Sequence, residues 1–437
     1  MNIILLSGGS GKRLWPLSNE IRSKQFVKFL KNDQGQMESM IERVYRQIRQ
    51  VAPDSNITIA TAKAQVSSIR NQLGDGVDIS IEPCRRDTFP AIALAAAYLR
   101  DVKKLGEEEP VVVCPVDPFV DLSYFETLKE LERLAAEGRA SLVLMGIEPD
   151  CPSEKYGYII PRGKERVDQV LTFKEKPDTE TAREYIRQGA LWNGGVFAFK
   201  LGYLMKKAHE ILDFADYQDL FDRYEDAVKI SFDYAVAEKE KDLAVLRFKG
   251  RWEDLGTWNA LTGQMDERIY GKGSCDETCE NVHIVNELSV PILCMGLKDT
   301  VVAASPEGIL VSTRERSDFM KPYVDAINRQ VHFAEKSWGE FCIVDVEKCS
   351  LTIRVTILPG RSMSYHSHEH RDEVWTVISG SGQVTLDGEK RQVASGDVIR
   401  IPAGCRHKVK ADTRLQMIEV QLGEEISAHD KIKYQQP

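Results

Sequence analysis

The segment that follows the first apolar run has the composition of a phosphate-binding loop. The run NIILLS leads directly into GGSGKR, whose successive backbone N–H groups, unobstructed by Cβ atoms, form a concavity suited to phosphate oxygens. The residues expected to contact phosphate are Ser7, Gly8, Gly9 and Gly11, with Arg13 and Lys24 adding positive charge on either side. The loop is neither a P-loop nor a dinucleotide fingerprint, because Leu6 and Leu14 stand where those motifs require glycine. A tight turn that binds nothing is the alternative.

Asp117 follows the apolar run PVVVC, at a point where ligands bind in open parallel sheets. Such ligands lie in the crevice beyond the carboxyl ends of the strands, so Asp117 is expected to face that crevice. Mg²⁺ prefers a few carboxylates together with substrate phosphates. Asp117 is therefore a candidate Mg²⁺ ligand that needs a second carboxylate, and a turn-forming role is the alternative.

Three histidines and a glutamate near the carboxyl terminus have the types and spacing of a metal site. His366 and His368 are two residues apart on a predicted strand, so both side chains face the same side. Glu373 and His407 complete a set of three imidazoles and one carboxylate, which leaves room for water or substrate on Zn, Mn, Fe, Co or Ni. The alternative is that these histidines are structural.

The elements that must position these residues follow two patterns. Up to about residue 265, apolar strands alternate with helical stretches, which predicts an α/β domain with a Rossmann-like, doubly wound and mostly parallel sheet. Helix is expected from SKQFVKFL through MIERVYRQIRQV. Short strand-like pieces then predict a small β connector with a short helix, and alternating strands with Gly-rich turns predict an antiparallel β-barrel whose last residues, KIKYQQP, are frayed. The predicted domains are 1–268, 269–334 and 335–437.

Composition narrows the functional classes. The chain has 437 residues and a net charge of −9, which argues against a protein that coats nucleic acid. No run reaches the roughly 18 apolar residues of a membrane span, and the first residues lack the basic region of a signal peptide. Nine scattered cysteines without C-x-x-C pairs are typical of reduced thiols. We therefore expect a cytoplasmic protein without nucleic-acid or membrane partners, and the sequence leaves a homo-oligomer open.

The amino-terminal motifs together resemble those of sugar-nucleotide pyrophosphorylases, and of mannose-1-phosphate guanylyltransferases in particular. The resemblance is carried by GGSGKRLWPL, SKQ and EPCRRDTFPAI, and it extends over almost all of residues 1–265. It implies a nucleotidyltransferase fold in which the loop binds GTP while Arg13 and Lys24 act as catalytic residues that stabilise phosphate charge. The further nucleotide-binding residues that it implies are Lys12, Glu82, Pro83, Arg86 and Thr88, with the segment after residue 81 reading guanine.

Other segments resemble the sugar-phosphate site of the same family. WEDLGTW implies that Asp254 is the second Mg²⁺ ligand and a catalytic residue beside Asp117. The segments EKYGY, FKEKP and WNGGVF imply a sugar-phosphate site formed by Gly157, Glu175, Lys176 and Asn193. The implied reaction is in-line attack of mannose-1-phosphate on the α-phosphorus of GTP, giving GDP-mannose and pyrophosphate. Such transfers depend on positioning and charge neutralisation.

The carboxyl-terminal part fits both cupin motifs and resembles the mannose-6-phosphate isomerase half of bifunctional isomerase/guanylyltransferases. Isomerisation would need a metal that stabilises an enediolate and a base that moves a proton between C1 and C2. Tyr365 and Val374 depart from the family's glutamine and histidine, and its closing Asp-x-Tyr-Gly-Arg is missing, so weak or absent isomerase activity is expected. The alternatives are a bifunctional enzyme, an isomerase that uses the first domain as a scaffold, and a non-enzymatic sugar-nucleotide sensor.

Overall fold

The structure, a computed structural model, divides the chain into two compact units. It describes residues 1–9, 12–19, 21–327, 330–427 and 429–435, and of Lys12 only the backbone. The first unit comprises residues 1–10, 25–69 and 73–261, and the second comprises residues 11–24, 70–72 and 262–437. By its contacts, the segment that contains Arg13 and Lys24 therefore belongs to the second unit.

A large sheet with helices forms the first unit. Its strands are β1 (Asn2–Ser7), β2 (Leu30–Lys31), β3 (Met37–Glu38), β4 (Asn56–Ala62), β5 (Asp78–Glu82), β6 (Pro110–Pro115), β7 (Pro118–Val120), β8 (Leu142–Ile147), β9 (Tyr158–Pro161), β10 (Val167–Lys174), β11 (Leu191–Lys200), β12 (Leu243–Phe248) and β13 (Trp252–Asp254). Its helices are α1 (Met40–Val51), α2 (Val66–Leu73), α3 (Thr88–Asp101), α4 (Leu122–Ala136), α5 (Thr179–Arg187), α6 (Leu201–Ile211), α7 (Tyr217–Asp222) and α8 (Trp258–Gly263), of which α2 and α8 also have residues in the second unit.

The main sheet has the order β5-β4-β1-β6-β11-β8-β12-β10-β9. Seven of its strands run in one direction, while β10 and β11 run in the other. Successive residues of β6, from Val111 to Cys114, are all fully buried, so both faces of the sheet are covered, with α3 and α4 among the covering helices. The prediction of a doubly wound, mostly parallel sheet is confirmed.

The predicted helix before α1 is wrong over most of its length. Between a single 3-10 turn at Lys24–Phe26 and α1, the chain forms the hairpin of β2 and β3. Asn32 closes that hairpin by accepting hydrogen bonds from the N–H groups of Gln34 and Gln36, and Gly35 adopts a φ of +74°. The helix begins only where Ser39 forms a capping box with Glu42.

The second unit consists of a small β region followed by two larger sheets. Its strands are β14 (Ile269–Tyr270), β15 (Gly273–Cys275), β16 (His283–Asn286), β17 (Ile292–Cys294), β18 (Thr300–Ser305), β19 (Gly308–Thr313), β20 (Phe333–Lys336), β21 (Gly339–Val346), β22 (Ser350–Ile357), β23 (His366–Ser367), β24 (Asp372–Ser379), β25 (Ser381–Leu386), β26 (Glu389–Ala394), β27 (Val398–Ile401), β28 (His407–Ala411), β29 (Leu415–Leu422) and β30 (Ile432–Lys433). The helix α9 spans Lys321–Ala326. In the small region, β14, β16, β18 and β19 form one sheet, and β15 pairs with β17.

The carboxyl-terminal sheets are antiparallel and enclose one apolar core. Their orders are β20-β21-β22-β29-β24-β27 and β26-β25-β28-β23-β30. Trp375 of β24 and Met417 of β29, from the first sheet, pack in the same core cluster as Val384 of β25 and Val409 of β28, from the second. The expected antiparallel β-barrel of the cupin type is therefore present.

The predicted frayed tail contains a paired strand in its described part, while Gln436 and Pro437 lie outside the described residues. Strand β30 pairs with β23, so that His366 lies opposite Lys433, and the N–H of Tyr434 donates to the carbonyl of Tyr365. These backbone hydrogen bonds tie the tail to the strand that carries the predicted metal ligands. None of the helices in the part of the chain that the structure describes combines the length and the apolarity that crossing a bilayer requires.

Candidate functional site

The glycine-rich loop begins at the end of β1. The hydroxyl of Thr61 donates to the Ser7 carbonyl over 2.9 Å, and the side-chain amide of Gln65 donates to the Gly9 carbonyl over 3.2 Å. Gly8 and Gly9 are exposed, and a Cβ on Gly8 would lie 3.7 Å from a carboxylate oxygen of Glu82. The strands thus present exposed, Cβ-free backbone next to the predicted base-reading residue. The predicted loop residue Gly11 and the side chain of Lys12 lie outside the described residues.

The predicted base-reading segment connects β5 to α3. Glu82 is buried at the end of β5 and its Oε2 accepts a hydrogen bond of 3.0 Å from the hydroxyl of Tyr224. Burial raises the pKa of Glu82 to about 7, while the hydrogen bond from Tyr224 opposes that rise. Thr88 accepts from the N–H of Phe232, and Arg86 donates to a backbone carbonyl of the same unit. The carboxylate of Glu82 lies beside the glycine-rich loop. Pro83, the next residue in the connection to α3, is half-buried.

The structure brings Asp117 and Asp254 together, although they are far apart in sequence. Asp117 lies between β6 and β7, and Asp254 ends β13. Strands β7 and β13 pair antiparallel, with Asp254 opposite Pro118. A Cβ on Gly256 would come within 2.9 Å of an Asp254 carboxylate oxygen, so the glycine leaves room for that carboxylate.

A cavity of about 220 Å³ opens beside the two aspartates. It is lined by Pro115, Asp117, Pro118, Lys155, Tyr156, Gly157, Glu175, Asn193, Gly194, Gly195, Asp233, Trp252 and Asp254. Three of the four predicted sugar-phosphate residues, namely Gly157, Glu175 and Asn193, are thus in one place. The fourth, Lys176, is exposed and forms an ion pair with Glu175.

The inner wall of the cavity is shaped around a buried carboxylate. A Cβ on Gly157 would lie 2.5 Å from Oε2 of Glu175, so any larger residue there would displace that carboxylate. The Oε2 atom is buried and makes no hydrogen bond within the described protein. An unsatisfied buried acceptor that faces a cavity is a position for a ligand hydroxyl group.

Asp233 contributes a second, partly buried carboxylate to this cavity, and it was not among the predicted site residues. The amide of Asn193 donates to Asp233 over 2.6 Å, which leaves the Asn193 carbonyl oxygen to accept from the N–H of Gly195. Burial and the nearby charge of Glu175 raise the pKa of Asp233 to about 6. The signal that could have identified it is the segment SFDYAV, which resembles a family motif.

The two predicted catalytic cations occur in the second unit. Arg13 is exposed within the 3-10 turn Lys12–Leu14, and Lys24 is half-buried at the start of the next 3-10 turn. Their role at the phosphates stays a prediction.

The predicted cupin ligands converge in the second unit. His366 and His407 are directly opposite each other on β23 and β28. One ligand atom from each of His366, His368 and His407 lies within 4.8 Å of the others, and all three residues are buried. The Glu373 carboxylate lies 3.2 Å from Nε2 of His368 and 3.4 Å from Nε2 of His407. The structure therefore assembles all four predicted ligands.

Hydrogen bonds orient the imidazoles so that the Nε2 atoms face inward. The Nδ1 atoms of His366 and His407 contact the carbonyls of Ser364 and Cys405 at 2.7 and 2.9 Å, and Nδ1 of His368 contacts the carbonyl of Asp430. Burial lowers the pKa of His366 to about 2, which favours the neutral, metal-binding imidazole. The Nε2 of His407 is buried and has no hydrogen-bond partner in the described protein. Such a donor set fits a divalent transition metal.

Three further charged groups surround the cupin ligands. Arg371 donates to Glu373 over 3.1 Å and contacts Asp430 of the tail at 3.7 Å. Glu419 on β29 is fully enclosed, and burial, together with the Glu373 charge, raises its pKa to about 8. Lys431 of the tail lies within electrostatic range of both Glu373 and Glu419. Glu419 lies in the segment IEVQLG, which resembles the isomerase half but was not assigned a role, and no sequence motif included Lys431.

Two family models match this chain. The nucleotidyl transferase model matches residues 2–268, and the model of the mannose-6-phosphate isomerase C-terminal domain matches residues 325–436. The first match covers more than half of the chain, and it contains the cavity and the glycine-rich loop.

Proteins of similar sequence and structure carry related names. Xanthan biosynthesis protein XanB of Xanthomonas campestris pv. campestris (strain B100) is 30% identical, and the alignment covers 99% of this chain and 97% of that protein. A mannose-1-phosphate guanylyltransferase of Klebsiella pneumoniae is 29% identical, with 98% of each chain covered. A crystal structure named mannose-1-phosphate geranyltransferase, from Thermus thermophilus, superposes with a TM-score of 0.62 at 28% identity, and covers 74% of this chain and 98% of that chain.

Proposed function

Because the chain belongs to the nucleotidyl transferase family, we propose that the cavity of its first unit transfers GMP from GTP to mannose-1-phosphate, with release of pyrophosphate. The observation that carries the proposal is the convergence of Asp117 and Asp254 on the cavity that contains Glu175 and Asn193. Names of similar proteins support the choice of substrates. We place the reaction in the cytoplasm, where the nine free cysteines would stay reduced.

The cavity residues have two roles, which are to neutralise charge on the phosphates and to position the sugar. Asp117 and Asp254 would hold Mg²⁺, which when bound neutralises charge on the reacting phosphates. The free Oε2 of Glu175 accepts from a sugar hydroxyl group, and the Asn193 amide, fixed by Asp233, sets the wall beside it. Lys176, which forms an ion pair with Glu175 beside the cavity, contacts the sugar phosphate. Glu82 accepts from the guanine ring beside the loop.

The proposed reaction is tested by pyrophosphate release. The protein is incubated with Mg²⁺, mannose-1-phosphate and each of the four nucleoside triphosphates in turn. GTP is expected to be the preferred nucleotide, because guanine offers its adjacent N1–H and N2–H donors to a carboxylate, a pattern that adenine cannot offer. Equal rates with all four nucleotides would contradict guanine recognition, and no release with any of them would contradict the reaction itself.

The preference for GTP is expected to depend on pH through Glu82. Its pKa of about 7 means that the carboxylate becomes protonated as the pH falls through 7, so one acceptor for guanine is lost below that pH. The ratio of kcat/KM for GTP to that for ATP should therefore fall below pH 7 and level off above it. The ratio removes the titration of the triphosphate, which both nucleotides share.

Two variants test whether Glu82 is the group that causes this pH dependence. Glu82→Gln should give a low ratio without this inflection. Tyr224→Phe removes the hydrogen bond that opposes the raised pKa, so the inflection should move to higher pH. A ratio that is independent of pH in the unmutated protein would contradict the assignment.

Isomerisation of mannose-6-phosphate and fructose-6-phosphate in the cupin is a second candidate function. Tyr365 and Val374, which replace the family's glutamine and histidine, argue against it. In its favour, the tail brings Lys431 within electrostatic range of Glu419 and the metal ligand Glu373, so the site contains titratable groups beyond its metal ligands. A coupled assay that starts from mannose-6-phosphate, with the protein loaded with each metal in turn, tests this function.

A further inference from the structure

The segment 12–24 contains both predicted phosphate-binding cations but little regular structure. Its described elements with repeating hydrogen bonds are the 3-10 turn Lys12–Leu14 and the first residue of the 3-10 turn Lys24–Phe26, and the described residues between them lie in neither a strand nor an α-helix. Pro16, Leu17 and Asn19 are nevertheless buried. A short irregular segment loses much conformational entropy on ordering, so contacts with its surroundings must fix its conformation.

The hairpin between β18 and β19 provides three such contacts within the second unit. The hydroxyl of Ser305 donates to the carbonyl of Pro16 over 2.6 Å in a buried position. Gly308 has a φ of +143°, and a Cβ at this position would lie 2.5 Å from the ring of Trp15. The side-chain amide of Asn19 donates to Oε1 of Glu307 over 2.8 Å. Three of the four residues Ser305–Gly308 thus contact the segment.

Glu307 also accepts hydrogen bonds from the first residue of β20 and from the residue before it. Its Oε1 accepts from the N–H groups of His332 and Phe333 at 3.0 and 2.8 Å. The Asn19 amide additionally donates to the carbonyl of Phe333 over 2.8 Å. One carboxylate oxygen therefore joins the segment, the hairpin and the start of β20.

Asn19 transmits this contact to the backbone that leads to Lys24. Its Oδ1 accepts from the N–H groups of Ile21 and Arg22 at 2.8 and 2.6 Å. Arg22 is held separately by a two-pronged ion pair with Glu287, at 2.8 and 2.9 Å. The side chain that contacts the hairpin therefore also sets the backbone two and three residues further along the chain.

We propose that Glu307 is a positioning residue for the transferase reaction, which acts through Asn19 to hold the segment with Arg13 and Lys24 in the conformation that binds the triphosphate. The inference rests on the proposed function. It assigns to the β connector a part in nucleotide binding. The cavity residues Gly157, Glu175 and Asn193 belong to the first unit, so the binding of mannose-1-phosphate does not depend on this contact.

The kinetics of Glu307→Ala test whether the contact affects the binding of GTP but not that of mannose-1-phosphate. We expect KM for GTP to rise by roughly tenfold or more, since a small misplacement of charged groups has large effects, while KM for mannose-1-phosphate stays within about twofold. Glu307→Gln keeps an acceptor oxygen and should restore most of the affinity for GTP. Glu315→Ala removes an exposed glutamate of the same region and is the matched control. Asn19→Ala should reproduce Glu307→Ala, and the double variant should be no worse than either single variant.

Hydrogen exchange gives a readout that does not require activity. In Glu307→Ala and Asn19→Ala, the backbone amides of Ile21 and Arg22 should exchange faster, while those of β1 and β6 keep their protection. Unchanged exchange in the segment, or an equal rise in KM for both substrates, would overturn the inference. If the unmutated protein releases no pyrophosphate, the proposed function fails, and the exchange experiment alone decides whether Glu307 positions the segment.

Discussion

Asp117→Asn and Asp254→Asn are each expected to lower the rate of pyrophosphate release by about 10²–10³-fold at fixed Mg²⁺, because each removes one of two charges that hold the ion. Asp254 lies opposite Pro118, the residue after Asp117, and both aspartates line the same cavity, so the variants should behave alike. Asparagine has nearly the shape of aspartate, and the fold should be retained. The measurement is the initial rate with GTP and mannose-1-phosphate, alongside thermal unfolding.

A matched substitution controls for the loss of a carboxylate in general. Asp266 is exposed and does not line the cavity, so Asp266→Asn should leave the rate within about twofold of the unmutated protein. Raising the Mg²⁺ concentration should restore part of the rate in the two cavity variants and none in the control. Near-normal turnover in either cavity variant would remove that aspartate from the proposed Mg²⁺ site.

The double variant His366→Ala/His368→Ala is expected to abolish metal binding by the cupin. The unmutated protein should contain about one divalent transition-metal ion per chain by elemental analysis, because three inward-facing imidazoles and a carboxylate form a complete site. His370→Ala is the control, because His370 lies in the same stretch but is exposed. A metal content that is equal in the double variant and the control would contradict the assignment.

The same proteins decide whether the metal serves isomerisation. If the cupin converts mannose-6-phosphate to fructose-6-phosphate, the double variant should lose that activity while pyrophosphate release with GTP continues. Lys431→Met should then lower isomerisation and leave the metal in place, since Lys431 is not among the ligands. Metal-replete protein without turnover would leave the cupin as a metal-binding domain and reject the second candidate function.

The sequence alone predicted those features of the fold and site that depend on the spacing of nearby residues. His366 and His368 were predicted to face the same side because they are two residues apart, and their side chains do converge, although β23 ends at Ser367; the barrel places His407 opposite His366. The buried apolar strands of the first unit were equally visible, because a strand covered on both faces consists of consecutive apolar residues. These predictions needed no knowledge of how distant segments pack.

Pairing between distant segments was not predictable in the same way. Strands β7 and β13 have three residues each, and β13 includes Glu253 and Asp254, so neither has the pattern of a buried strand. Only the family resemblance pointed to Asp254. The two-residue strand β30 was missed for the same reason. Its own residues are polar and typical of a frayed tail, and it forms a strand only because it pairs with β23.

Buried charges were the hardest features to anticipate. Glu419 and Asp233 are charged residues of types usually found at the surface, yet the fold buries Glu419 and partly buries Asp233 beside candidate ligand sites. Glu307 was not predicted either, because its proposed positioning role depends on hydrogen bonds with Asn19 and Phe333, which are far from it in the sequence.

The central claim is tested most directly by following both ends of the nucleotide in one reaction. GTP labelled at the α-phosphorus and GTP labelled at the γ-phosphorus are each incubated with the protein, Mg²⁺ and mannose-1-phosphate. The α-label should appear in GDP-mannose and the γ-label in pyrophosphate, in equal amounts and only when the sugar phosphate is present. Release of the γ-label as inorganic phosphate, or an α-label that never joins the sugar, would contradict the proposed transfer of GMP.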